Sequence, residues 1–133
     1  MAVGPVGQRV GSGGPYEDRY GYSRVVRVGP LAVTAGCTAV VDGDVQAPGD
    51  AGAQARIALG AALHALSVVG ASPEDVVSVR MSIVDAADAD AVGLAHREIL
   101  GAVRPAATMV VVAGLIDPTM LVEVELTAYV GPS

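Results

Sequence analysis

The sequence predicts an α+β fold, a mixed β-sheet with two helices on one face, and three observations support it. Residues 104–130 read as a strand, a short loop centred on Asp117-Pro118, and a second strand. In that second strand Val122, Val124, Leu126, Ala128 and Val130 alternate with Glu123, Glu125, Thr127 and Tyr129, as a pleated strand with one apolar face requires. Two earlier stretches carry helical spacing instead, each opened by an aspartate.

Taken in order, residues 1–15 are rich in Gly and Pro without periodicity, and about the first eleven read as a flexible lead to a single domain spanning 1–133. Residues about 22–28 and 31–40 form a hairpin turning at Gly29-Pro30. Asp42-Gly43-Asp44 is a second turn, leading to a short edge segment before Pro48. Asp50 is placed to cap a helix running to about Val69, with Gly70 and Pro73 as its stop signals. Leu59, Ala62, Leu63, Leu66 and Val69 make its apolar stripe. Residues 76–84 then alternate, with Val77, Val79, Met81 and Ile83 on one face and Ser78, Arg80 and Ser82 on the other. Asp85 or Asp88 opens a second helix to about Leu100, with Ala89, Val92, Ala95 and Ile99 turned inward. Both helices cover one sheet face. The other carries Ser, Arg, Thr and Glu among small apolar residues and is expected to be buried against further subunits.

Composition narrows the function classes. The apolar content of 52% is built from Ala and Val with no Phe or Trp, so each core residue buries little area. Burying strand surface between subunits compensates, which favours an oligomer. There is no lysine, which excludes a lysine Schiff base and a Walker A loop. A net charge of −6 argues against a nucleic-acid partner, since phosphates must be met by a surplus of cations. Cys37 is the single cysteine and cannot form an internal disulfide, so a reducing cytoplasmic setting is expected. No 18-residue apolar run and no basic-then-apolar start point to a membrane or to export.

Glu123 and Glu125 are costly if buried unpaired, so they mark either a solvated face or a polar cavity. Arg80 lies on the face opposite Val79 and Met81. It reads either as one half of a structural ion pair with a neighbour's Glu123 or Glu125, or as the group that captures a substrate carboxylate. Arg24 and Arg27 flank the first strand near Tyr22 on opposite faces, so at most one can reach a cleft. Cys37 has no His near it in sequence and reads as a buried, inert thiol. His64 and His96 sit on different helices and form no ligand cluster, so no metal site is predicted. The run GSGGP lacks the strand-to-helix setting of a phosphate loop.

Pro105, Ala106, Thr108, Val110 and Val112, followed by Val122, Glu123, Val124, Glu125 and Ala128, resemble a known signature. It is the P-A-R-S/T-x-V-x-V … V-E-I-E-x-x-A pattern of the Rid family, the YjgF-like reactive-intermediate deaminases. The likeness runs from about Ser12 to Val130. In Gly21–Gly36, Tyr22 falls on the family's cleft tyrosine and Ala35 on its usual serine. The family arginine falls on Ala107. GSGGPYEDRYGYSR, RPAxTM and LIDPxMLVEVE together are similar to an arginine-less branch of the family.

The resemblance implies a chorismate-mutase-like fold, a homotrimer packed sheet to sheet, and small-molecule clefts at the subunit interfaces, with no cofactor or metal. Deaminating members hydrolyse enamines and imines; an arginine grips the substrate carboxylate and a glutamate positions water. It also implies a catalytic set of Glu123, Tyr22 and Thr108, with Ala107, Ala35 and Met109 against the substrate, where Arg80 is added from its strand position alone. The plainer readings stay open: Glu123 solvated or in an interface salt bridge, Tyr22 a packing residue, Thr108 an ordinary strand threonine. The implied function is cofactor-free hydrolytic deamination or tautomerisation of a small nitrogenous intermediate, in a dedicated pathway or more generally. The alternative is a non-catalytic ligand-binding or regulatory trimer. Some family members carry a ribonuclease label, to which the acidic charge lends no support.

Overall fold

The computed structural model describes residues 7–132. Its main sheet has six strands: β1 (Gln8–Val10), β2 (Val25–Val28), β3 (Leu31–Thr34), β6 (Val76–Ile83), β7 (Ala106–Val111) and β8 (Val122–Tyr129). They lie in the order β1-β2-β3-β8-β6-β7, so the last strand in sequence occupies the middle of the sheet. Every pairing is antiparallel except β6 with β7, whose crossover is a helix, α3 (Ala89–Leu100). A longer helix, α2 (Ala51–Val68), packs on the same sheet face as α3. The short strands β4 (Val40–Val41) and β5 (Asp44–Val45) form a separate hairpin. A helix not foreseen, α1 (Pro15–Tyr20), precedes β2.

The core follows the alternation. Val122, Val124, Leu126 and Ala128 are buried under the helices, as are Val79, Met81 and Ile83 of β6. Across the helical layer Ala55, Ala58, Ala62 and Ala65 let α2 approach the sheet closely, while Leu59 and Leu66 fill the space between. Each buried leucine contributes about 2 kcal/mol of apolar transfer. Asp50 caps α2 by accepting from the Ala53 N–H at 3.0 Å. The fully buried Gln54 ties the loops to this helix. Its amide donates to the Thr119 carbonyl at 3.0 Å, and its side-chain oxygen accepts from the Leu121 N–H at 2.9 Å.

Several expectations need correction. Gln8–Val10 pairs with Val25–Arg27 as an edge strand, so that part of the expected flexible lead is sheet; residues 1–6 of it lie outside the described residues. The second arm of the hairpin ends at Thr34 rather than near residue 40. Val77 is 49% exposed because a bulge between Val76 and Ser78 turns it off the core face. Asp85 caps a 3₁₀ turn, Ala86–Asp88, by accepting from Ala87 N–H, while Asp88 makes no side-chain cap on α3. The uncovered sheet face is as expected. Val28, Leu31, Val33 and Tyr129 are exposed there beside Arg80 and Glu125.

Candidate functional site

One irregularity shapes the site. Leu31 pairs with Tyr129 and Val33 with Thr127, but Cys37 bridges Val124, one residue out of that register. An extra residue is therefore accommodated between Thr34 and Cys37, the local form of a β-bulge. The Thr34 hydroxyl accepts from Leu126 N–H at 3.0 Å, filling the ladder position that the backbone vacates. The displaced chain brings Gly36 against the side chain of Glu123. A Cβ on Gly36 would lie 2.5 Å from the Glu123 carboxyl carbon, so only glycine fits here without movement.

Glu123 thus stands in the wall of a cavity of about 850 Å³. The wall also includes residues of the segment 10–16, Tyr22 and Arg24, the bulge at Gly36-Cys37, the β4–β5 hairpin, His64 and Ala65 of α2, and Asp117. Burial raises the Glu123 pKa above the ordinary carboxylate value, the nearby Glu125 adds to this, and Arg24 opposes it. Relative to an exposed glutamate, the neutral acid form is favoured.

Arg24 organises the opposite side. Its Nε–H donates to Glu17 at 3.2 Å, and Nη1 donates to the Gly36 carbonyl and, at 3.8 Å, toward Cys37 Sγ. Nη2 reaches the Tyr22 hydroxyl at 3.5 Å, with the guanidinium over the tyrosine ring. Glu17 is buried. Burial alone would raise its pKa, but the Ser12 hydroxyl and N–H, together with Arg24, outweigh this and hold it low. A Cβ on Gly11 or Gly14 would come 2.8 or 3.3 Å from the Glu17 oxygens, so the glycine-rich run makes room for this carboxylate. Burial raises the Cys37 thiol pKa, with Arg24 opposing, and the Sγ–H donates to Ala35 O at 3.6 Å. Arg27 points elsewhere, its Nη1 donating to the Val69 carbonyl at 2.8 Å at the end of α2.

Of the residues singled out in the sequence, Glu123 and Tyr22 face this cavity, whereas Ala35 is not in its wall and meets it only through its carbonyl, which accepts from the Cys37 thiol. Thr108 and Arg80 are register neighbours on the uncovered sheet face, next to Glu125, and neither lines the cavity of the same protomer. Ala107 and Met109 pair with Val79 and Met81 on the helix side of edge strand β7, again away from it. Arg24 and Glu17 were not named as site residues. Among the described residues no three His, Cys, Asp or Glu side chains cluster as a metal site, and no helix is long and apolar enough to cross a membrane.

The model of the Endoribonuclease L-PSP family matches residues 16–130. The chain belongs to that family. An uncharacterised protein of Streptomyces coelicolor is 40% identical over 124 residues, covering 93% of this chain and 92% of the relative. The crystal structure of a Mycobacterium tuberculosis member of the YjgF/YER057c/UK114 family is 42% identical with a TM-score of 0.84, covering 94% of this chain and all of that one. Escherichia coli TdcF, solved with bound serine, has a TM-score of 0.77 at 23% identity over 92% of this chain and 94% of its own, and shows likeness of fold alone. The sheet order and helical layer described above are accordingly those of a YjgF-like domain.

Proposed function

We propose that this chain forms a homotrimer whose clefts hydrolyse small imines or enamines without a cofactor, with Glu123 as the acid/base group. The observation that carries the reading is the carboxyl of Glu123, set against Gly36 in the cavity wall with its pKa raised by burial. In the ionised form it takes a proton from water as the oxygen attacks the C=N carbon. That proton passes to nitrogen to give a carbinolamine. The carboxylate then carries the hydroxyl proton to nitrogen as the C=O bond forms and the C–N bond breaks, releasing a carbonyl compound and ammonia. An enamine joins this route after tautomerising to its imine. Tyr22, whose hydroxyl lies by Arg24, orients the substrate at the mouth.

The trimer reading rests on the uncovered face. Leu31 is 44% and Tyr129 57% exposed there, and Arg80 lies in register with Glu125 across the ladder. Burying that face against neighbours would bring Arg80, Thr108 and edge strand β7, with Ala107 and Met109, to the border of an adjacent protomer's cleft. Ala107 stands where the resemblance places the carboxylate-gripping arginine, so this chain fits the arginine-less branch. The family description names an endoribonuclease, but a wall bearing Asp42, Asp117 and Glu123 repels phosphates.

The test is a panel of imines and enamines generated in situ by an amino-acid oxidase or dehydratase, with ammonia release followed for wild type and Glu123→Gln. Hydrolysis of some donor by wild type and its loss in the variant is the expected result. Ligand binding with no turnover of any donor would instead support the binding-trimer alternative.

A further inference from the structure

Taking the Glu123 cavity as the substrate site, as proposed above, we infer that its substrate is a neutral or cationic imine carrying no carboxylate. The reason is that Arg24, the arginine of the cavity wall, is already committed. A guanidinium grips a carboxylate through two neighbouring N–H groups, either Nε with Nη2 or Nη1 with Nη2. Here Nε–H is bound to the buried Glu17, and the two N–H groups of Nη1 are directed to the Gly36 carbonyl and the Cys37 sulfur. Each two-pronged grip therefore lacks a member.

Nor is the charge of Arg24 available. Glu17 neutralises it from behind, and the wall itself adds Asp42, Asp117 and Glu123. Asp117 is kept ionised by hydrogen bonds from the Thr119 hydroxyl and N–H, which lower its pKa. A protonated imine gains from this field and a carboxylate loses. Apolar lining from Val10, Val25, Val45 and Val68 suits a small alkyl or cyclic body.

Three unreactive five-membered-ring probes separate the charge classes: pyrrolidine as the ammonium, cyclopentanone as the neutral carbonyl, and cyclopentanecarboxylate as the anion. Titration of the assembled wild-type protein, followed by calorimetry or NMR, is expected to show pyrrolidinium binding about tenfold tighter than the carboxylate, with cyclopentanone between them. Glu17→Gln releases the Nε–Nη2 edge of Arg24, and carboxylate affinity is then expected to rise about fivefold or more. Should that variant fail to fold, Asp42→Asn serves, since Asp42 is exposed at a positive φ of 51° that asparagine accepts. It is expected to weaken pyrrolidinium about two- to threefold and leave cyclopentanone unchanged.

Carboxylate binding as tight as or tighter than pyrrolidinium, or no binding of any probe, overturns the inference. Pyrrolidinium preference without hydrolysis of any imine sustains the charge assignment and removes the hydrolase reading instead.

Discussion

Gly36 and Glu123 are in steric dependence: a methyl group on Gly36 would occupy a point 2.5 Å from the carboxyl carbon of Glu123. The glycine is held there by two backbone links on its C-terminal side, Cys37 N–H to Val124 O at 2.7 Å and Val124 N–H to Cys37 O at 2.8 Å. The backbone of Gly36 is thereby fixed, and it is the Glu123 side chain that would have to give way. Gly36→Ala is therefore expected to push the Glu123 carboxyl off its position, lowering kcat about a hundredfold while changing stability little, because the displaced atoms are the mobile end of the side chain. Steady-state ammonia release and urea denaturation measure the two effects separately. An alanine variant with wild-type turnover would show that the carboxyl need not sit against the bulge.

Glu123→Gln should separate function from stability. The folded pKa of Glu123 is raised by burial and by Glu125. Its contribution to stability is thus fully present below the unfolded value of about 4.3, and is lost as pH rises through the folded pKa. Glutamine stays neutral, so at pH 7 the variant is expected to be at least as stable as wild type. Its hydrolytic rate is expected to fall about a hundredfold or more. Urea midpoints at pH 4 and pH 7 beside kcat/KM would expose a purely structural role, in which both quantities fall together.

Glu17 has the opposite sign. Burial is outweighed by Ser12 and Arg24, so its pKa is lowered, and the stability it contributes is present above about 4.3 and lost as pH falls through the folded value. Glu17→Gln is expected to cost about 2 kcal/mol at pH 7, the worth of a charge-assisted hydrogen bond. The gap between variant and wild type should shrink as the solution is acidified and the wild-type carboxyl protonates. A gap independent of pH would mean that the loss is one of packing.

The architecture was legible because its periods are clean. Alternation over residues 122–129 placed β8, and the Asp50 and Gly70 signals bracketed α2 within a residue or two. The site was not, for local reasons. Strand parity from Tyr22 puts Arg24 and Arg27 on opposite faces and allows one of them a cleft, and Arg24 is the one in the cavity wall; its pairing with Glu17 and the Gly36 carbonyl is what the sequence does not show. Glu17 was hidden because a run of glycines looks like mobile chain unless the carboxylate it surrounds is seen. The inserted residue between Thr34 and Cys37 leaves no periodic trace, since a bulge changes register without changing composition.

Ala107 bears on the choice of substrate. With alanine where the resemblance places the arginine, one bidentate contact to an α-carboxylate is missing, and Arg24 is not arranged to replace it. Turnover of 2-iminopropanoate is expected to be about a hundredfold or more below that of an arginine-bearing homologue, measured side by side with the imine generated in situ. Comparable rates would mean that a cation from a neighbouring protomer has taken over the contact.

Arg80 is the candidate for that neighbouring cation, and substituting it tests the proposed assembly as well. It lies opposite Glu125 on one side and Thr108 on the other, on the face that the trimer would bury. Once water is excluded, Glu125 needs a positive partner, and Arg80 is the nearest arginine in register. Arg80→Met keeps the apolar stem and removes the charge, leaving the carboxylate uncompensated inside the interface. The expected cost is about 3–5 kcal/mol, seen as a trimer that dissociates on dilution while the protomer stays folded. Light scattering and circular dichroism over a concentration series distinguish dissociation from unfolding. If Arg80→Met instead remains trimeric at high dilution but loses affinity for an anionic probe, Arg80 is a ligand contact. A variant that is trimeric and unchanged toward every probe would place Arg80 in solvent, and the interface would then have to be sought on another face.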